Sequence, residues 1–186
     1  MKIVDGIRCP AAPLGTFNCS RKDGYAFQRL VQEAKNGLVQ IIGLSISRLL
    51  LQVSTHEPCI FHLVLGIASI CRLRNARQAR IALPSNSSHH KIFRHYFLAR
   101  DFLNDAVAIP GCLTRELFFM ACYLFTILEI LIGSRDHASK WLRKAYKLLK
   151  VAIKDYGADI DGVGLPMGMR EVALAFGRLN LRSIEP

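Results

Sequence analysis

Cys59 and His62 stand three residues apart, with Cys71 further along the same apolar run, a set of soft donors that could take a zinc-like cation. Thiols and imidazoles on apolar helix faces are more often core residues, and these three are expected to pack inside. His56-Glu57 lacks the second histidine four residues on that a zinc-protease helix requires, and Pro58 stands in the way. His89, His90 and His95 have no cysteine or carboxylate at ligand spacing and are expected at the surface. Asp159-Ile160-Asp161-Gly162 imitates part of a calcium loop, yet Gly157 and Gly168 occupy the positions of the first ligand and the bidentate glutamate. Gly162, Gly164 and Gly168 do not have the spacing of a dinucleotide fingerprint. Glu116 and Glu129 could share a helix face, but about 20 Å of helix would divide them, too far for joint acid–base work. Glu129 is instead expected to serve a polar contact at the end of a buried helix. No serine sits in a nucleophile elbow, and no cysteine, histidine and acid group together. The residues therefore point away from an enzyme, and no cofactor or metal is expected.

Cations offer more than nucleophiles do. Lys140, Arg143, Lys144, Lys147, Lys150 and Lys154 fall zero, three, four, seven, ten and fourteen residues along one segment, which lines one face of a helix. Leu142, Ala145, Leu148, Leu149 and Ala152 make the opposite face apolar. Such a stripe is first the solvated side of a packed amphipathic helix, and second a surface for phosphates or an acidic partner. Arg72, Arg74, Arg77 and Arg80 form another basic cluster, expected as a surface loop, with a nuclear-import or nucleic-acid patch as the other reading. The whole chain carries a formal charge of +11 and a pI near 9.7, which favours anionic neighbours without choosing among them.

The elements that must position these groups follow from composition. With 186 residues, 51% hydrophobic and 21% charged, the chain can bury a real core in one domain. Cys9, Cys19, Cys59, Cys71, Cys112 and Cys122 include no closely spaced pair, and the first residues lack the pattern of a signal peptide, so buried reduced thiols are expected. The uncharged run from Leu117 to Leu128, bounded by Glu116 and Glu129, falls short of the about 20 residues a bilayer span needs, so no membrane contact is expected.

Residues 1–20 read as an irregular leader and residues 21–186 as a helical domain, all-α, with about six to seven helices in antiparallel pairs. Phe27, Leu30, Val31, Ala34, Leu38, Ile41 and Ile42 give a helical period over Tyr25 to Ile42, weakest at Gly37. Ser45 can open a short helix that closes between Ser54 and Pro58. Pro58 starts a longer one running to about Leu73, followed by a loop from Asn75 to Ser88. Ile92, Tyr96, Ala99, Leu103 and Ala106 step by four and three into an amphipathic helix ended by Pro110-Gly111. Thr114 can cap a helix that stops at Gly133, and Ser134 with Asp136 opens the next, close enough to pack antiparallel. After Gly157, Gly162, Gly164 and Pro166, a last helix carries Met169, Val172, Ala173, Phe176 and Leu179.

Two stretches give a family resemblance. The first runs from Arg48-Leu49-Leu50-Leu51 through His56-Glu57-Pro58 and Phe61-His62-Leu63-Val64-Leu65-Gly66 to Arg72. The second runs from His95-Tyr96 and Asp101-Phe102-Leu103, through Cys122-Tyr123-Leu124-Phe125 and Leu128-Glu129-Ile130-Leu131-Ile132-Gly133, to Ala138, Trp141-Leu142-Arg143 and Leu148-Leu149. In order, spacing and residue type they resemble the fungal-specific transcription factor domain that follows the zinc cluster in fungal zinc-cluster regulators. There an apolar helix ends in an acidic residue, a small apolar patch and glycine, and the next helix leads to a Leu-Leu pair. Phe176-Gly177-Arg178-Leu179-Asn180-Leu181-Arg182 extends the likeness, which covers roughly residues 22 to 184. The resemblance implies a nuclear regulator of RNA polymerase II transcription, cytoplasmic if the likeness misleads. It implies protein partners, itself or full-length relatives, and only weak, non-specific DNA contact by this chain. Zinc is implied only for full-length relatives, because the cluster needs six thiolates in closely spaced pairs. The family domain is usually longer, so a C-terminal truncation is expected. A helical scaffold outside transcription and a truncated gene product of a full DNA-binding factor are the alternatives.

Overall fold

Six helices follow one another in the computed structural model, which describes residues 44–78, 85–111, 113–159 and 163–178. They are α1 (Leu44–Ser54), α2 (Pro58–Gln78), α3 (Ser85–Ala108), α4 (Arg115–Ile132), α5 (Arg135–Tyr156) and α6 (Met167–Arg178). No strand occurs among the described residues, and the architecture is all-α as the periodicity predicts. The leader and the helix expected over Tyr25 to Ile42 lie outside the described residues.

Local chemistry sets the boundaries. Pro58 opens α2, where its missing N–H has no helical partner to lose. The Thr114 hydroxyl accepts the Leu117 N–H at 3.1 Å, satisfying one of the orphan donors of α4. Gly133, with φ of 94°, ends that helix: its N–H and that of Ser134 both reach the Glu129 carbonyl. Only glycine adopts this left-handed turn without a Cβ penalty. Ser134 stands at the head of α5 as expected, but its side chain makes no capping bond, and Asp136 supplies the favourable charge in the first turn.

Two boundaries differ from expectation. The helix expected to stop near Leu73 continues to Gln78, and Ser85 to Ser88 already belong to α3, so most of the expected Asn75–Ser88 loop is helical. Arg72, Arg74 and Arg77 keep their helical propensity when the apolar pattern fades, and Leu73 and Ala76 are still buried. Arg72 and Arg74 thus sit on a helix, not on a surface loop.

Helix α4 occupies the centre, packed by α2, α5 and α6, while α2 also meets α1 and α3. Its residues Phe119 to Glu129 are buried throughout. Arg115, at the start of α4, pairs with Asp155 at the end of α5, and Phe125 stacks on Trp141 between them, so these two helices run antiparallel. α2 and α3 are antiparallel too, since His62 meets Phe102 while Gly66 lies near His95. Gly168 lets α6 approach the core closely: a Cβ there would stand 2.8 Å from the Met120 methyl and 3.8 Å from Leu49. Pro58–Ala76 has the length and apolar composition of a membrane span, which the shorter Leu117–Leu128 run lacks. Most of that window is buried inside the fold, against α1, α3 and α4.

Candidate functional site

Cys59, His62 and Cys71, which could have supplied soft donors, do not converge on a metal site. Cys59 and His62 are buried and Cys71 half-buried, and among the described residues no group of three His, Cys, Asp or Glu could hold a metal ion. Burial, reinforced by the charge of Glu57 and by Cys122, pushes the Cys59 thiol up to about 12. Burial does the same for Cys122, against the pull of Lys144. Protonated thiols of this kind are poor nucleophiles and poor ligands. Glu57 is half-buried, and desolvation raises its carboxyl above the usual range despite the neighbouring His56.

His95 is not at the surface, in contrast to His89 and His90, which are exposed. It faces His62 with the two Nδ1 atoms 3.1 Å apart, one ring donating and the other accepting. His62 lies between this ring and that of Phe102, stacked at centroid distances of 5.3 and 5.6 Å. The signal was present in the sequence, because His95 follows Ile92 by three residues and precedes Ala99 by four, on the buried side of α3. A second polar cluster closes the end of α4. Glu129, only 3% exposed, accepts the Tyr96 hydroxyl at 2.7 Å, the polar contact expected of it, and has His137 Nδ1 at 3.8 Å. Burial and the bond to the Glu129 carboxylate drive the Tyr96 phenol up to about 12, so it remains a donor. Glu116 is half-buried near the opposite end of the same helix and takes no part. Asp159 accepts the Val163 N–H at 2.7 Å.

Both clusters serve packing between helices. The cations are what face outward. Lys140, Arg143, Lys144, Lys147, Lys150 and Lys154 are all exposed on one side of α5, and Ala138, Ala145 and Ala152 on the other side are buried. Among the described residues none of the six forms an ion pair with a carboxylate. Two rest on aromatic rings: the Lys144 ammonium sits 4.3 Å from the Trp141 ring centre, and that of Lys150 sits 4.7 Å from Tyr146. Trp141 is thereby clamped between Lys144 and Phe125, whose ring lies 4.4 Å away at 8°. The stripe is therefore anchored to the core through one aromatic stack.

Comparison with family models, with curated proteins and with solved structures finds no match.

Of the second basic cluster, the side chains of Arg72 and Arg74 lie among the described residues. Arg72 and Arg74 are exposed on the last turns of α2, and Arg74 donates to the Leu131 carbonyl at 3.2 Å, tying α2 to the end of α4. Such a bond suits a cation near a helix C-terminus. The Arg77 side chain and Arg80 lie outside the described residues. Of the cations singled out by spacing, those of α5 form one surface. Sequence spacing missed Trp141, Tyr146 and Val151 as parts of that surface, although their interleaving with the lysines is visible along the segment.

Proposed function

We propose that this chain is the helical regulatory and interaction domain of a transcription regulator of the fungal zinc-cluster type. It acts in the nucleus on RNA polymerase II transcription through protein contacts, with itself or with full-length relatives, and DNA reading is supplied by its partners. The observation that carries this reading is the row of six exposed cations on α5, a helix whose other side is fixed in the core. Like charges three and four residues apart repel along a helix, by about 0.2–0.5 kcal/mol per pair, so an unneutralised row costs stability that an anionic partner restores. The resemblance, which runs from Arg48 in α1 to Leu149 in α5, supports the transcriptional part.

Tethering the chain to an unrelated DNA-binding domain upstream of a reporter tests the proposal. Reporter output is expected to change several-fold in either direction. Unchanged output from a fusion shown to be nuclear and bound at the reporter would leave a helical scaffold outside transcription.

A further inference from the structure

Lys140, Arg143, Lys147, Lys150 and Lys154 advance along α5 by three, four, three and four residues. That is the seam spacing of a coiled coil, about one side chain per turn in a nearly straight line. The line is about 21 Å long at 1.5 Å per residue. Lys144 and Val151, seven residues apart, flank it on one side, and Tyr146 flanks it on the other. Tyr146 is 58% exposed and Val151 48%, so the seam has apolar shoulders open to solvent. Asp136, four residues before Lys140, continues the line with opposite sign and marks its end.

We infer that this seam docks an acidic amphipathic helix of a partner protein, one that presents carboxylates every three to four residues with apolar side chains beside them. The inference rests on the reading of the chain as a partner-binding regulator and specifies the partner's chemistry. A helix laid along α5 repeats its own side chains with the same period, so its carboxylates meet the cations turn by turn over the whole length. Every repulsive spacing along the seam is relieved at once, and the charges also fix the register of the two helices. Apolar residues of the partner then cover Val151 and the Tyr146 ring. A B-DNA strand suits the seam less well, because its phosphates follow a curved path that leaves a straight line after a few contacts and offers the two apolar shoulders nothing. The aromatic clamp at Trp141 holds Lys144 in place before binding, which lowers the ordering cost of that side chain.

The test uses the full chain and two fluorescein-labelled synthetic peptides of three heptads with identical composition. One carries glutamate at both seam positions and leucine beside them; the other spreads the same glutamates around the helix. Fluorescence anisotropy is expected to show the striped peptide binding about tenfold tighter than its isomer, with an affinity that falls as salt rises. Lys147→Glu combined with Lys150→Glu should weaken the striped peptide by about tenfold or more, while Lys147→Gln with Lys150→Gln weakens it less. Circular dichroism of both variants should match the parent, because the substituted side chains are exposed. Equal affinity for the two peptides, an unchanged affinity in the charge-reversed variant, or tighter binding of a random DNA duplex of equal length would each overturn the inference. Failure with the peptides alongside a responsive tethered reporter removes this partner chemistry alone and keeps the regulatory reading. A silent reporter with striped binding intact removes the regulatory reading alone.

Discussion

Replacing Phe125 with alanine lowers the free energy of unfolding by about 3–5 kcal/mol, the range for deleting a fully buried aromatic ring. Phe125 is wholly buried near the middle of α4, the helix that α2, α5 and α6 all pack against. One of its neighbours is the Trp141 ring, stacked at 4.4 Å, and another is Tyr96, edge-on at 5.5 Å. Truncation removes both contacts and leaves a void between α3, α4 and α5. Urea denaturation of the parent and of Phe125→Ala measures the loss directly. Trp141→Leu, made alone and with Phe125→Ala, should reveal a coupling of about 0.5–1.5 kcal/mol attributable to the stack. A loss below about 1.5 kcal/mol for Phe125→Ala would mean that α4 is not the centre of the fold. Because Trp141 also carries Lys144, the same substitution should disturb the cation seam, whereas a void elsewhere in the core should not.

Alkali destabilises the protein from about pH 9, where lysines still carry their charge. Burial holds the Cys59 and Cys122 thiols at about 12 in the folded chain, against 9.0 when exposed. Below pH 9 both thiols are protonated whether the chain is folded or not, and their contribution does not vary with pH. Above it the unfolded chain releases protons that the folded chain retains, so stability falls as pH rises, and the fall levels off near pH 12. Each thiol contributes about 1.4 kcal/mol per pH unit within that window, or about 4 kcal/mol for the pair by pH 10.5. Tyr96 works in the same direction above pH 10, to a smaller extent because its side chain is half in solvent. The midpoint of urea unfolding should therefore drop steeply between pH 9 and pH 10.5, and the double variant Cys59→Ala with Cys122→Ala should show a much shallower drop. An equal drop in that variant would place the alkaline sensitivity elsewhere.

The parts of this fold that could be read from the residues are those whose cause is local. Thr114 and Gly133 are capping signals that act within one turn, and the helix ends they mark match the structure. The 3–4 stepping of Ile92, Ala99 and Leu103 gives the buried face of α3 for the same reason. A polar run that keeps its helix without an apolar stripe, as from Asn75 to Gln78, gives no such local sign. The His62–His95 pair and the Tyr96–Glu129 bond each join residues 33 apart in sequence, and no periodicity within one helix can show which partner lies across an interface. Residue type alone places His95 at the surface, whereas its position between Ile92 and Ala99 puts it on the buried face of α3. The cation stripe was legible in full, since all six members share one helix. Its flanking Tyr146 and Val151, and the clamp on Trp141, needed the packing of α4 against α5 to become visible.

A domain whose buried polar groups are spent on helix packing and whose cations form one outward seam is suited to binding macromolecules. We propose that those macromolecules are proteins and that sequence-specific DNA reading lies with the partners. Fluorescence anisotropy of the purified chain against random and promoter-derived DNA duplexes, across a salt series, tests it most directly. Weak binding is expected, equal for both duplexes and gone by physiological salt, because only phosphates are contacted. Tight, sequence-selective binding that survives salt would contradict it and would make the α5 helix around Lys147 a DNA reader in its own right.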